Sequence, residues 1–460
     1  MKRSISKTGC AAIDRLATMA VLMTLLLFSV SVRAGIIGET GTAFSLTASE
    51  GYVSVADGGS IYAWGYSTGS TMQLPGPTLI VNQGDTITVT LKNALPAAAG
   101  NVSIVFPGHQ VTATSGGAPG LLTQEALPGG TVTYTFVAGE PGTYQYHSGT
   151  QTDLQVEMGL YGALIVRPSA AALSGAGVSC VRGTPAYVHA ATCYDREYLY
   201  LLSEIDIDVH RAAEAQIGGT GPIRLPAGTF ASEYWLMNGR VGPDTMAASS
   251  VPGQGVLPTQ PYGSLTRMHP GERLLMRVVG AGREMHPFHH HGNHARLLAV
   301  DGRMLLNSNG KLAGPLLFTI PSIPGQTADA IFEWTGKDLG WDMYGHAAGD
   351  GSVCIPDSNG YYTSDPNAAN YMEWCADHNQ PIPVTLPDLT NLAFGGFYSG
   401  SPFLGYLGSL PPGEGGLNPN AGFAFMWHSH TERELVNNDV FPGGMMTMLI
   451  VEAPYVVIQE

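Results

Sequence analysis

Residues 285–294 read MHPFHHHGNH, and this stretch decides how the rest of the chain is interpreted. Five of the fourteen histidines lie within its last nine residues. Residues 273–279, which read RLLMRVV, precede it and are typical of a β-strand. On a following strand, alternation would place His289 and His291 on one face and His290 on the other. Two neighbouring imidazoles on a strand form half of a transition-metal site.

A second histidine pair lies far downstream, where His428 and His430 follow the apolar run at residues 423–427. The same alternation would place both rings on one face of their strand. A lone histidine is usually a satisfied polar residue. Two His-x-His pairs on apolar strands are better explained by a shared metal ion, since imidazole binds Cu, Zn, Fe and Ni.

Residues 1–34 have the features of a secretory signal peptide: basic residues, an apolar run at 19–32 and a Val-Arg-Ala cleavage site at 32–34. They hold five of the 21 basic residues and one of the 36 acidic ones, so the remainder carries 16 basic and 35 acidic residues and a net charge of −19. This charge argues against nucleic acid or anionic lipid as a partner. No later segment matches a membrane span. We expect an exported protein, periplasmic or extracellular.

Four cysteines follow the signal peptide: Cys180, Cys193, Cys354 and Cys375. An even number in an exported protein predicts disulfides. Of the three connectivities, we favour the pairing of sequence neighbours, Cys180 with Cys193 and Cys354 with Cys375. No cysteine lies beside a histidine motif.

Short alternating strands separated by turn residues predict an all-β protein. The sequence around residues 83–166 is echoed between 270 and 451, since each part has a Gly-acidic turn before a strand and a histidine-containing strand before a Gly-rich closing strand. The repeat predicts two copies of one β-sandwich, at 35–168 and 196–460, joined by a linker at 169–195. The second copy contains an insertion at about 341–422.

These motifs resemble those of the multicopper oxidase family. The sequence HPFHHHG at 286–292 resembles the family's His-Pro-x-His-x-His-Gly, and HSH at 428–430 resembles its terminal His-Cys-His. The sequence YHS at 146–148, followed by GLYG at 159–162, resembles a first-domain motif. The resemblance implies two cupredoxin-like Greek-key β-sandwich domains and copper as the cofactor.

The family's three-copper cluster uses eight histidines, and this chain keeps five of those positions. They are His147, His289, His291, His428 and His430. The first pair would fall at residues 105–107, which contain no histidine, and the partner of His147 is replaced by Gly149. His109 lies nearby as an alternative ligand. Five imidazoles are enough for one or two copper ions, which we expect at these five residues.

The family's mononuclear copper site is also incomplete. Such sites use two histidines, a thiolate and a weak axial methionine. His286 keeps one position, but Ser429 replaces the cysteine and Glu434 the second histidine. Met445 could supply a thioether, although its spacing is longer than usual. We expect a polar, metal-free remnant; binding of a harder metal by His286 and Glu434 is the alternative.

Two hypotheses about function remain open. The first is a copper-dependent oxidoreductase acting on a small molecule or a metal ion, with O2 as a candidate oxidant. The second is a non-catalytic copper-binding or structural protein that keeps the fold. A nitrite-reductase-like arrangement would also need a cysteine-containing site. Two-domain relatives commonly form trimers, so the resemblance also implies a homotrimer, in which His147 meets the late histidines between neighbouring chains; facing halves of one chain are the alternative.

Overall fold

The computed structural model describes residues 36–225, 228, 230–337, 340, 372, 374–377, 380, 401–402, 423–452 and 456–458. The predicted signal peptide and most of the predicted insertion at about 341–422 lie outside these residues. Strands dominate the described part, which confirms the all-β prediction. No described helix is long and apolar enough to cross a membrane.

The first half of the chain forms a sandwich of two sheets. Its strands are β1 (Glu39–Thr40), β2 (Ala43–Ser54), β3 (Ser60–Ser67), β4 (Leu79–Asn82), β5 (Thr86–Asn93), β6 (Thr112–Gly116), β7 (Ala118–Pro119), β8 (Gln124–Glu125), β9 (Thr131–Val137), β10 (Gly142–His147) and β11 (Tyr161–Arg167). One sheet has the order β1-β4-β11-β10 and the other β3-β2-β5-β9-β6, with β7 and β8 as a separate hairpin. A short helix, α1 (Thr152–Gln155), precedes β11.

Alternating side chains explain why these strands form a sandwich. On β5 the apolar residues Ile87, Val89 and Leu91 are fully buried, while the threonines between them face outward. The burial of such apolar faces is the main favourable contribution to folding. The two sheets therefore enclose a core that includes Trp64 and Tyr146.

The linker contains α2 (Ala170–Gly175), β12 (Thr184–Pro185) and β13 (Cys193–Tyr194). Cys180 and Cys193 form a disulfide, which confirms the predicted pairing. Cys375 is also disulfide-bonded, and its predicted partner Cys354 lies outside the described residues.

The second half forms a second sandwich. Its strands are β14 (Arg196–Ile205), β15 (Tyr234–Met237), β16 (Thr266–Met268), β17 (Arg273–Gly280), β18 (His286–His290), β19 (Ala295–Val300), β20 (Arg303–Met304), β21 (Leu316–Leu317), β22 (Thr319–Ser322), β23 (Thr327–Glu333), β24 (Ser401–Pro402), β25 (Phe423–Ser429) and β26 (Met446–Val451). We call β15-β14-β17-β23-β19-β20 the inner sheet and β16-β26-β25-β18-β22 the histidine sheet. The helix α3 (Ile207–Gln216) follows β14.

The second core lies between the inner sheet and the histidine sheet. Met276 and Phe332 reach it from the inner sheet, and Phe288 and Trp427 reach it from the histidine sheet. All four side chains are fully buried. Residues that alternate with Phe288 and Trp427 therefore face the opposite, outer side of the histidine sheet.

The first sandwich packs against the outer side of the inner sheet. Tyr161 and Ala163 of β11 share a buried apolar cluster with Leu199, Leu201 and Val279 of β14 and β17. The helix α3 extends from the second half and buries Val209 and Ala213 in the core of the first sandwich. The two halves are therefore joined by an apolar interface as well as by the linker.

A buried polar network completes this interface. Arg277 of β17 is fully buried; its Nε donates to Glu197 Oε2 at 2.9 Å and its Nη1 to Thr143 Oγ1 at 2.9 Å. Thr143 in turn donates to Asp329 Oδ1 at 2.6 Å. Arg167 of β11 also pairs with Glu197. Burial opposes the charge of Glu197, but Arg277 and Arg167 lower its pKa.

Candidate metal centre

The two late histidine pairs meet because β18 and β25 are antiparallel neighbours. Their register places His289 directly opposite His428. His291 and His430 follow the ends of the two strands. Since Phe288 and Trp427 face the core, all four of these histidines lie on the outer side of the histidine sheet.

The four rings form one compact group. His289 lies 4.7 Å from His291 and 4.8 Å from His430, measured between ring centroids. His291 and His428 are 5.3 Å apart, and their Nε2 atoms approach to 3.3 Å. The potential ligand atoms of His289, His291 and His428 all lie within 4.8 Å of one another. The structure thus brings together four of the five predicted metal ligands.

The hydrogen bonds of two of these rings leave one ring nitrogen on each with a lone pair that can bind a metal ion. His428 Nδ1 lies 2.6 Å from the Ser429 carbonyl oxygen, which can only accept a proton, so Nδ1 carries the hydrogen and Nε2 keeps its lone pair. His289 Nδ1 bonds to Thr319 Oγ1 at 2.9 Å, while its buried Nε2 has no hydrogen-bond partner among the described residues. A metal ion accounts for such a buried, unpaired nitrogen.

Burial and mutual repulsion keep His289 and His428 neutral, which metal binding requires. Burial, followed by repulsion from His291, His428 and His430, lowers the pKa of His289 to about 3. Burial, with repulsion from His291 and His430, also lowers the pKa of His428 to about 4. The residues present therefore fit a transition metal such as copper, because imidazole nitrogen is a preferred ligand of such ions.

His290 faces the other way, as the alternation predicts. Its ring packs against Phe332 and Trp427 in the core, and its Nε2 accepts a hydrogen bond from Ala295 N at 3.2 Å. Burial lowers its pKa to about 3. Trp427 also donates its Nε1 hydrogen to the His291 carbonyl oxygen at 2.9 Å, which links the core to the metal-binding face.

His286, at the position of the family's mononuclear copper ligand, is fully buried between two carboxylates. Its Nδ1 lies 2.9 Å from Glu434 Oε2 and its Nε2 lies 3.0 Å from Glu204 Oε2. Burial disfavours the imidazolium, but the two hydrogen bonds raise the pKa of His286 to about 9. Both ring nitrogens carry protons in this arrangement, so neither has a lone pair for a metal. The expected partner Glu434 is present, whereas Glu204 was not predicted from the sequence.

Ser429 occupies the position of the family's cysteine and is also fully buried. Its hydroxyl accepts a hydrogen bond from Thr431 N at 3.2 Å, and its backbone N–H donates to the Met445 carbonyl oxygen at 2.9 Å. Met445 is buried as well. This position provides an alcohol where a mononuclear copper site needs a thiolate.

His147, the fifth predicted ligand, lies elsewhere in the chain. It ends β10, on the side of the first sandwich that faces the inner sheet, and lines a cavity with Glu204 and Glu157. The four late histidines lie on the far side of the second sandwich. Within one chain, the structure therefore does not place His147 beside them. Burial lowers the pKa of His147.

Two first-domain positions where the family has histidine are occupied by Val105 and Gly149. A Cβ atom placed on Gly149 would lie 2.7 Å from Val105 Cγ1, so Val105 leaves no room for a side chain at residue 149. His109 packs its ring against Phe136 and Tyr144, and its Nδ1 lies 3.3 Å from the Pro107 carbonyl oxygen. His109 is not part of the four-histidine group.

Comparisons with known proteins confirm the family resemblance. A family model described as multicopper oxidase matches residues 54–171, which lie in the first sandwich and linker. Copper resistance protein A from Escherichia coli is 38% identical over 130 residues, covering 28% of this chain and 18% of that protein. Multicopper oxidase MCE from Talaromyces pinophilus is 40% identical over 98 residues, covering 21% and 15%. The aligned segments therefore span less than one fifth of these relatives.

The fold is similar to that of solved multicopper oxidases. The blue copper oxidase from Nitrosomonas europaea gives a TM-score of 0.51 at 17% identity, covering 89% of this chain and 86% of that chain. The multicopper oxidase mgLAC gives a TM-score of 0.50 at 17% identity, covering 91% and 88%. The predicted cupredoxin-like β-sandwich architecture is thus confirmed.

Proposed function

We propose that this chain, which resembles the multicopper oxidases in its first-half sequence and in its fold, is an exported copper-dependent oxidoreductase. Copper is held by His289, His291, His428 and His430. The 3.3 Å approach of the Nε2 atoms of His291 and His428 carries this proposal, because two imidazole nitrogens facing each other at this distance are suited to share an ion. We expect one or two copper ions per chain.

The bound copper would supply reversible one-electron transfer. The chain orients the ligands, because the Ser429 carbonyl and the Thr319 hydroxyl hold the Nδ1 atoms of His428 and His289. Hydrogen bonds of this kind fix ring orientation in metal sites. The neutral state of both rings means that copper binding near pH 7 displaces no proton from them.

The substrate is a small molecule or a metal ion, with O2 as the candidate oxidant. The alternative is a copper-binding protein without turnover, which Ser429 favours because the thiolate route for electrons is missing. Copper-dependent oxygen consumption with phenolic and cuprous substrates distinguishes the two: a copper-loaded protein that consumes no oxygen with either class supports the alternative.

Export is supported by the signal-like residues 1–34 and by the Cys180–Cys193 disulfide, since disulfides persist in oxidising compartments. Assembly as a homotrimer is supported by the edge of the four-histidine face, where His430 is exposed and no described residue of the first sandwich is packed. A neighbouring copy could complete the site there. His147 remains a proposed metal ligand, although within one chain it lines the cavity beside Glu204 and is not part of the four-histidine group.

The test is copper content after loading and desalting. Replacing His289 and His428 together by Ala should remove the copper bound by the four-histidine group, because it deletes one ligand from each strand. The matched control replaces His109 and His189, which lie outside the group, and should keep wild-type copper at that group. Electron paramagnetic resonance identifies copper at the four-histidine group by its couplings to several nitrogen atoms. The proposal would be refuted if the His289→Ala/His428→Ala protein kept the wild-type amount of this copper.

A further inference from the structure

A cavity of about 360 Å³ lies between the two halves of the chain, apart from the four-histidine group. Its wall includes the apolar side chains of Val156 and Ala281 and two polar side chains of β10, Gln145 and His147. Gln145 and His147 are two residues apart on one strand, so both side chains leave the same face. Small-molecule sites are commonly cavities of this size, in which a few polar groups orient the ligand.

The amide of Gln145 lacks a hydrogen-bond partner for its oxygen. Gln145 is only 3% exposed, and its Oε1 has no partner among the described residues. Buried polar side chains are normally hydrogen-bonded, so an unpaired amide oxygen on a cavity wall indicates that a ligand donates to it. An amide also carries an NH2 group beside its oxygen, so the same side chain can donate in return.

His147 adds a second acceptor to the same wall. Its Nδ1 lies 2.9 Å from the Ser148 carbonyl oxygen, which can only accept a proton, so Nδ1 carries the hydrogen and Nε2 keeps the lone pair. Burial lowers the pKa of His147, which keeps the ring neutral near pH 7. A ligand in the cavity therefore meets two acceptors, one from each of these side chains.

The charged groups around the cavity are already paired within the protein. Glu157 forms ion pairs with Arg283 at 3.4 Å and with His210 at 3.6 Å. Glu204 is engaged by His286 Nε2 at 3.0 Å and by two backbone N–H groups. Burying a charge costs free energy unless that charge finds a partner. These pairs leave no such partner for a cation or an anion, so the cavity favours a neutral ligand that is rich in donors.

We propose that this cavity binds a small neutral sugar or polyol through two neighbouring hydroxyl groups. One hydroxyl donates to Gln145 Oε1 and its neighbour accepts from Gln145 Nε2, because a hydroxyl both donates and accepts and an amide presents both functions side by side. A further hydroxyl donates to His147 Nε2. The carbon atoms of the ligand contact Val156 and Ala281. The site does not depend on the copper proposed for the four-histidine group.

The experiment is isothermal titration calorimetry on the full chain without its signal peptide, prepared without copper. Xylose and cis-1,2-cyclohexanediol, which carry neighbouring hydroxyls, should each bind at one site per chain. Cyclohexanol, which has a single hydroxyl, should bind roughly tenfold more weakly, because it loses one hydrogen bond to a buried group. Gln145→Leu should weaken the binding of both diols by the same factor. The matched control is Gln254→Leu, at an exposed residue in another loop, and should leave binding unchanged.

Thermal melting gives a second measurement on the same variants. Gln145→Leu should not lower the melting temperature of the ligand-free protein, since the amide oxygen has no hydrogen bond to lose. Xylose should raise the melting temperature of the wild type by more than that of Gln145→Leu. Val156→Phe, which narrows the cavity and leaves the amide intact, should also weaken binding, and it tests the site if Gln145→Leu fails to fold.

Three results would overturn the inference. They are no binding of either diol at millimolar concentration, equal affinity of the wild type and Gln145→Leu for xylose, and tighter binding of propionamide than of the diols. The last result would assign the cavity to amides. Loss of copper from the four-histidine group would leave all of these measurements unchanged, so a failure of the proposed copper site is distinguished from a failure of this one.

Discussion

At the scale of single residues, His286 shows how two carboxylates engage a histidine at the position of the family's mononuclear copper ligand. Its ring bridges Glu204 and Glu434, so the site holds an imidazolium between two carboxylates. A buried charge is tolerated when it is paired and hydrogen-bonded on each side. This arrangement couples folding to the protonation of His286.

The stability of the protein should therefore fall as the pH rises towards 9. The pKa of His286 is raised to about 9 in the folded state, against about 6.5 in an unfolded chain. Its contribution, on the order of 3 kcal/mol, is fully present below pH 6.5 and is lost as the pH passes through 9. Urea unfolding at several pH values measures it. His286→Gln should flatten the pH dependence between 6.5 and 9, and equal slopes for both proteins would contradict this account.

Ser429 determines the visible absorption that we expect of the copper-loaded protein. The intense blue absorption of mononuclear copper sites needs a copper–thiolate bond, which a serine hydroxyl cannot form. The copper-loaded protein should lack that band in its visible spectrum. Ser429→Cys alone should not restore it, since His286 is engaged by Glu204 and Glu434. A strong blue band in the wild-type protein would show that a ligand has been misassigned.

At the scale of elements, β18 serves the core and the metal site at once. Phe288 and His290 face the core while His289 faces outward, so the packing of the first two fixes the position of the third. The strand is held between β22 and β25, and this pairing sets His289 against His428.

Phe288→Ala should weaken both folding and copper binding. Removing a fully buried phenylalanine leaves a cavity, and we expect a loss of about 3–5 kcal/mol in the free energy of unfolding. Copper affinity should fall in the folded fraction, because β18 loses its anchor beneath His289. The control is Phe441→Ala, whose side chain is 70% exposed and whose cost should be within about 0.5 kcal/mol. Calorimetry measures the free energy of unfolding, and titration with copper measures the affinity. Equal losses of unfolding free energy for the two variants would exclude this role of Phe288.

At the scale of the whole molecule, the order of the layers determines which surfaces are available. The first sandwich covers the inner sheet, with Arg277, Glu197 and Thr143 buried between them. The histidine sheet is the last layer, and no described part of the first sandwich lies over its four-histidine face. The four-histidine group thus faces away from the first sandwich, with His430 exposed at its edge.

The family resemblance predicts a homotrimer in which a neighbouring copy covers that face; a head-to-tail contact between unlike surfaces closes into a ring when its rotation allows it. Light scattering of the copper-loaded protein at micromolar concentration should give three times the chain mass. His430→Lys, which places a positive charge beside the copper at the exposed edge of the group, should favour the monomer by burying an unpaired charge in the contact. The control is Val256→Lys, at a residue that is 88% exposed on another surface. A monomeric, copper-loaded wild type would rule the trimer out.

The sequence by itself determined the fold class, the two-sandwich repeat, the four histidines that share a face and the Cys180–Cys193 disulfide. These features depend on alternation along a strand or on short sequence separation, which are local properties of the chain. Only the tertiary structure decided that Glu204 meets His286, 82 residues away, and that His147 faces the cavity rather than the late histidines. Those outcomes depend on which outer face of the second sandwich is covered by the first sandwich. Apolar contacts from several strands, distant in sequence, determine this packing.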